Sequence, residues 1–258
     1  MSGFLFHDII FGPVKSRRLG SSLGINLLPL ARKFCSFNCI YCECGWSPKA
    51  SSEKENLPKR EDIYRLLEEK LQELKENNMP PDNLTFAGNG EPTIHPEFAL
   101  IVKDTIALRD KYFPDAFTTV LSNSSMIHKE EIFEALKLVD QNILKLDAGS
   151  QEQFERINLP SSNLKLENIV DILCNFNGDV IIQTLFLRGT YNDQVIDNTS
   201  EKEISLWLEH LEKIKPRLVM MYPIDRKTPV KELEKISSEE LHQIAKRVHL
   251  LGIKTEIF

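Results

Sequence analysis

The segment LGINLLPLARKFCSFNCIYC, residues 23–42, joins a short apolar run to three cysteines spaced Cys35-x-x-x-Cys39-x-x-Cys42, with Tyr41 just before the last. Leu23–Leu28 reads as a strand, which places the cysteines in the loop that follows it. Soft thiolates favour iron–sulfur clusters, zinc or copper(I). A cubane cluster held by three thiolates keeps one iron open for a further ligand. Of the five cysteines, the other two are Cys44 and Cys174. Crowding at Cys35–Cys44, in a chain without a secretory pattern, points to metal or redox chemistry and away from a disulfide framework. Cys44 is either a spare thiol or a substrate-facing group. Cys174, among Ile172, Leu173 and Phe176, reads as a buried, inert thiol.

Outward from this loop, apolar runs alternate with helical patterns. Strands are predicted at Leu84–Ala87, Thr118–Leu121, Ile143–Leu146, Val180–Leu187 and Leu218–Met221, with a short terminal strand at Lys254–Ile257. Helices are predicted at Lys59–Asn77, from Pro96 onward, and at Glu130–Val139, Gln151–Ile157, Leu166–Phe176, Glu201–Lys215 and Ser238–Leu251. Pro96 suits a first helical position because proline lacks the N–H left unpaired there. Six strands each followed by a helix imply parallel pairing with right-handed crossovers. A partial (β/α)6 barrel and an open doubly wound sheet both satisfy this α/β pattern, and both bind ligands at the carboxyl ends of the strands. Beyond those ends lie the cysteine loop, GNGEPT (88–93), SNSS (122–125), DAGS (147–150), RGTYND (188–193) and YPIDRKTP (222–229).

The chain reads as one domain over 1–258, with an N-terminal extension at 1–22 and a polar, mobile loop at 47–59. A net charge of −6 does not call for a nucleic-acid or membrane partner. The opening residues lack a basic region, their apolar letters are broken by His7 and Asp8, and no stretch approaches a membrane span. The expected location is the cytoplasm.

The three-cysteine motif behind a first strand resembles the radical S-adenosylmethionine (SAM) superfamily. That resemblance implies a partial barrel with the site at its C-terminal mouth, and a [4Fe–4S] cluster on Cys35, Cys39 and Cys42. It also implies S-adenosyl-L-methionine chelating the open iron, reductive cleavage to a 5′-deoxyadenosyl radical, and a reductant such as flavodoxin or ferredoxin. Gly88-Asn89-Gly90-Glu91 resembles the superfamily's GGE-type motif for the methionine end of the cofactor, which nominates Gly88, Gly90 and Glu91. A side chain at Gly90 is then expected to strike the cofactor. By the same analogy Ser122, Asn123, Lys145 and Asp147 stand where ribose or substrate binds, although turn formation and helix capping explain an Asn or Asp equally well. Gln183 and Thr184 are placed toward the adenine, and Asp225 and Arg226 toward substrate, with Arg226 equally readable as a solvated charge.

GPVKSRRLGSSLGI (12–25), KLDA (145–148) and YPIDR (222–226) resemble the wyosine-synthase-like branch, whose members modify tRNA and hold a second cluster. Cys44 and Cys174 alone cannot ligate a second cubane in that way, so a small substrate is preferred over tRNA. Lys15, Arg17, Arg18, Arg32 and Lys33 form a basic stretch that reads as a phosphate contact, a site for a small anion, or a solvated face. A non-catalytic iron–sulfur or zinc sensor or carrier is the rival from another class. Replacing Cys35, Cys39 and Cys42 together by Ala is expected to abolish iron incorporation on anaerobic reconstitution, whereas Cys44→Ala and Cys174→Ala retain it. Equal iron loss in Cys44→Ala and the triple variant would establish a four-thiolate site.

Overall fold

The computed structural model describes residues 3–48 and 57–258; most of the loop expected at 47–59 lies outside the described residues. The chain runs β1 (Ile10–Ser16), β2 (Gly20–Ile25), α1 (Arg60–Glu76), β3 (Asn83–Phe86), α2 (Phe98–Tyr112), β4 (Phe117–Ser122), α3 (Glu130–Leu138) and β5 (Gln141–Lys145). It continues through α4 (Gln151–Asn158), α5 (Leu166–Cys174), β6 (Ile181–Tyr191), β7 (Gln194–Asp197), α6 (Glu201–Ile214), β8 (Leu218–Pro223), β9 (Leu233–Lys235), α7 (Ser238–Leu250) and β10 (Thr255–Ile257).

The strand path is β1-β2-β3-β4-β5-β6-β8-β10. β1 is antiparallel to β2, and every later pair on the path is parallel. The spatial order follows the chain without a reversal. With right-handed crossovers, such winding keeps the helices on one face, whereas a doubly wound sheet reverses at a switch point. The fold is therefore a partial barrel of six β/α units, with β10 added at the edge.

Side chains alternate between the two faces of a strand. Leu23, Ile25, Leu84, Phe86, Val120, Leu144, Ile182, Val219 and Met221 point to the helix layer and are buried there. α1 meets them with Ile63, Leu67, Leu71 and Leu74. Ser150, Ser200 and Ser237 begin α4, α6 and α7 by accepting the N–H three residues on, which satisfies a donor the helix itself leaves unpaired.

Four local expectations are corrected. Residues 10–16 of the supposed extension form a strand. α2 starts at Phe98, and the proline that opens a helical turn is Pro92, in a 3₁₀ turn at Pro92–Ile94. RGTYND is not a loop, because β6 continues to Tyr191 and turns through Asn192 and Asp193, at φ 50° and 60°, into β7. Two consecutive positive φ values make the tight hairpin turn whose twist matches its strands. β9, which lacks a clear alternating pattern, pairs with the same extension of β6.

The tip of the β1–β2 hairpin, Arg17-Arg18-Leu19, reaches into the barrel. Leu19 is buried against Ile143, Ile181 and Met220 on the inner face, and its carbonyl accepts a hydrogen bond from Asn83 Nδ2 at 2.7 Å. Leu19→Ala is expected to cost about 2–4 kcal/mol, the range for truncating a buried leucine, read from the urea midpoint by circular dichroism. A loss below ~0.5 kcal/mol, typical of surface sites, would mean that the tip does not plug the barrel.

Candidate active site

The cysteine loop is docked on the end of β3 by backbone. Phe34 N–H donates to Asn89 O at 2.8 Å, and Glu91 N–H donates to Phe34 O at 3.2 Å, a parallel bridge between Phe34 and Gly90. Gly90 has φ +144°, and a Cβ there would lie 1.9 Å from Phe34 O. At Gly88 it would lie 2.2 Å from Asn26 Oδ1. Both glycines border the cavity described below, but an added side chain would strike protein, which corrects the expected clash with cofactor. On the loop's other side, Ile40 N–H donates to Ile157 O and Asn38 N–H to Asn158 O.

Cys35, Cys39 and Cys42 line one cavity of about 280 Å³ together with Gly88, Gly90, Glu91, Asn123, Lys145 and Gln183. Donors are aimed at the sulfurs. Cys35 Sγ accepts from Phe37 N–H at 3.4 Å and Asn123 Nδ2 at 3.5 Å, and Cys39 Sγ accepts from Asn158 Nδ2 at 3.4 Å. Hydrogen bonds onto sulfur favour thiolate over thiol and are a means of tuning iron–sulfur sites. Burial nevertheless pushes the Cys35 thiol up to about 12, so metal must displace its proton. The Cys42 thiol is held down, first by the Cys44 thiol donating to it and then by Lys33. Cys44 Sγ also lies 3.7 Å from Gly88 O, so its single S–H has either Cys42 Sγ or Gly88 O as acceptor. Three such thiols, with N–H donors around them and open space on one side, fit a three-thiolate cluster.

Glu91 and Asn123 tie the mouth loops together. The buried Glu91 carboxylate accepts from Thr93 N–H at 3.0 Å, Thr93 Oγ1–H at 2.5 Å and Asn123 N–H at 2.5 Å. Burial outweighs these bonds and raises its pKa. The Asn123 amide reaches Ser36 Oγ at 3.0 Å. Ser122 lines the cavity beside it.

Asp147, expected at the cofactor, is instead held behind Tyr41. Its oxygens accept from Tyr41 Oη–H, from Asn158 Nδ2 at 3.0 Å and from Leu185 N–H at 2.9 Å. The group that reaches the cavity is Lys145, whose Nζ donates to Tyr222 Oη at 2.6 Å and Tyr41 Oη at 3.0 Å. Burial is the largest influence and opposes its charge, but the Asp147 carboxylate at 3.7 Å, Tyr222 and Cys39 together outweigh it and keep the pKa above the ordinary value. Gln183 faces the cavity, whereas Thr184 points to the opposite face and donates to Leu146 O, as strand alternation requires.

A second chamber of about 410 Å³ adjoins the first and shares Arg18, Tyr41, Leu185 and Tyr222 with it. Phe4, Phe6 and Phe11 form one wall, with Phe6 stacked on Phe11 at 3.8 Å. Asp225 and Arg226 stand at its rim, paired with Arg17 and Glu43, each at 2.6 Å. Lys33 is not part of a basic face, since it is buried and donates to Gly45 O at 3.0 Å. Cys174 lies half-buried on α5, away from both spaces.

Sequence reasoning overlooked Asn89. Its fully buried amide accepts from Phe6 N–H at 2.8 Å and donates to Phe6 O and Pro29 O at 2.9 Å, pinning the N-terminal segment beside the cysteine loop. The available signal was its departure from glycine inside GNGE.

Residues 32–201 match the model of the radical SAM superfamily. The chain belongs to that superfamily. Its cofactors are those of the family, a [4Fe–4S] cluster and S-adenosylmethionine. A UPF0026 protein of Helicobacter pylori strain J99 is 33% identical over 90% of this chain and 71% of its own length. A UPF0026 protein of Methanocaldococcus jannaschii is 35% identical over 75% of this chain and 59% of its own. A protein of Brachyspira hyodysenteriae named GTPase Obg is 30% identical over 92% of this chain. The chain spans about a third of that protein's length and under two thirds of the Methanocaldococcus one.

Among solved structures, a radical SAM methyltransferase from Sphaerobacter thermophilus superposes with TM-score 0.67 at 12% identity, covering 92% of this chain and 65% of that one. TYW1 with a lysine-pyruvate adduct bound gives 0.64 at 16%, covering 90% and 75%. These likenesses show the shared fold. Among the described residues, no helix is long and apolar enough to cross a membrane.

Gly90→Ala is expected to lose most of its iron on reconstitution, because the added Cβ displaces the Phe34 backbone and the thiol loop with it. Full iron content with weakened S-adenosylmethionine binding alone would show that this glycine faces the cofactor after all.

Proposed function

We propose that this radical SAM enzyme reductively cleaves S-adenosylmethionine and uses the product to abstract hydrogen from a small substrate, with a flavodoxin or ferredoxin supplying the electron. The observation behind this is the adjacency of two spaces: the cavity bounded by the three thiols shares Arg18, Tyr41, Leu185 and Tyr222 with the chamber walled by Phe4, Phe6 and Phe11. When bound, the cluster and S-adenosylmethionine supply the 5′-deoxyadenosyl radical.

The chain's own groups orient and enclose. Gly88, Gly90 and Glu91 line the cluster cavity, Lys145 and Gln183 offer N–H donors, and Tyr41 with Tyr222 closes the wall. Enclosing walls protect a reactive carbon radical from side reactions, a contribution the protein makes to cofactor chemistry. A chamber of this size suits a small molecule. The surface available to tRNA phosphates is reduced, because Lys33 faces inward and Arg17 and Arg226 are neutralised by carboxylates.

The anaerobically reconstituted, dithionite-reduced protein is expected to release 5′-deoxyadenosine slowly without added substrate, measured by liquid chromatography. No product from a reduced, cofactor-bound cluster would favour the sensor or carrier. Tight tRNA binding that survives physiological salt would favour the tRNA-modifying alternative.

A further inference from the structure

Arg18 occupies the junction of the two spaces and belongs to the lining of both. Its backbone is fixed by its neighbours: Leu19 is plugged into the barrel, and Arg18 N–H donates to Ser16 Oγ at 3.2 Å. The guanidinium lies over the Tyr222 ring, 4.8 Å from its centroid. Stacking holds the planar group by its face and leaves its N–H edge free, the edge that binds carboxylate or phosphate in a bidentate fork.

The surrounding charges are settled differently. Arg17 and Arg226 are matched by Asp225 and Glu43, Lys145 by Asp147, and Lys33 turns to Gly45 O. Among the described residues, no carboxylate pairs with Arg18. At the other end of Tyr222, whose hydroxyl lies 3.4 Å from Gln183 Oε1, the buried Gln183 Nε2 also has no partner. A buried donor left unpaired is destabilising, a penalty that a ligand acceptor removes. A guanidinium without a carboxylate partner and a buried donor without an acceptor therefore bracket one tyrosine on the shared wall.

Opposite the charge stands the apolar wall. Phe11 packs so closely on Gly24 that a Cβ there would lie 2.1 Å from the ring. Phe6 stacks on Phe11 with their planes 20° apart, and Phe4 meets Phe6 edge-on.

We propose that Arg18 anchors the anionic group of the substrate, which is a small molecule bearing a carboxylate or phosphate and a planar apolar part that rests along the phenylalanine wall. This rests on the function proposed above, since it takes the chamber to be the substrate's. It turns the basic stretch of the sequence inward, from a surface contact into one specific subsite.

The test is ligand-observed NMR titration of benzoate, phenyl phosphate and uncharged benzyl alcohol, against the reconstituted protein and the protein as isolated. Arg18→Ala, and Arg18→Gln, which keeps a flat polar side chain without the charge, are each expected to weaken both anions about tenfold or more, the effect of losing one charge-assisted hydrogen bond. Benzyl alcohol affinity and S-adenosylmethionine affinity are expected to stay unchanged in both variants. The tighter of the two anions identifies the group the substrate carries. Anion affinity indifferent to Arg18 would overturn the proposal. An equal fall in S-adenosylmethionine affinity would also overturn it, by assigning Arg18 to the cofactor's own carboxylate. Arg18-dependent anion binding without any release of 5′-deoxyadenosine would remove the reaction proposed above and leave the anion site supported.

Discussion

Two backbone hydrogen bonds between Phe34 and the Asn89–Glu91 segment hold the thiol loop against the end of β3, and most of the site follows from them. With that loop docked, Asn123 reaches Cys35 and Asn158 reaches Cys39, so each donor comes from a different β/α unit. Glu91 then receives Asn123 N–H from the next strand. Remove the close approach that Gly90 permits, and sulfurs, donors and cavity lose their common frame. The requirement is steric before it is chemical: only a residue without Cβ lets two backbones run this close.

The parallel strands and the meeting of three cysteines at one cavity were legible because their signals are local. The Cys35, Cys39, Cys42 spacing and the apolar runs at Leu84, Thr118, Ile143 and Leu218 need no knowledge of distant partners. What escaped depends on partners far along the chain. Asp147 looks like a free carboxylate until Tyr41, 106 residues away, is placed beside it. Arg17-Arg18-Leu19 looks like a solvated turn until Ile143, Ile181 and Met220 close around the leucine. RGTYND has a loop composition, and only the two positive φ values at Asn192 and Asp193 reveal a hairpin. In GNGEPT the importance of the glycines was apparent, but the direction of their missing side chains was not.

Asn89 and the hairpin tip show how a short N-terminal segment acquires a role in the site. One polar side chain fixes Phe6, Phe6 orders Phe11 by stacking, and Phe11 covers Gly24. Two residues of the tip then serve opposite purposes. Leu19 fills the barrel, and Arg18 leaves a charge at the boundary between cofactor space and chamber. The same short turn thus places an apolar side chain in the barrel interior and a charged one at the mouth.

The Arg17–Asp225 pair spans 208 residues of sequence. Closing a flexible loop of that length costs roughly 4–5 kcal/mol of chain entropy on the logarithmic rule, while an exposed ion pair contributes about 0–1 kcal/mol. The pair therefore cannot draw the two ends together, and it forms only because the intervening strands have already brought them there. Its two side chains are 66% and 45% exposed, so separating them buries no unpaired charge and raises the energy by little more than thermal motion supplies. The two sides of the chamber accordingly differ in how firmly they are held. The wall pinned by Asn89 opens only with disruption of buried bonds, whereas the rim at Arg17 and Asp225 parts at the cost of one exposed ion pair.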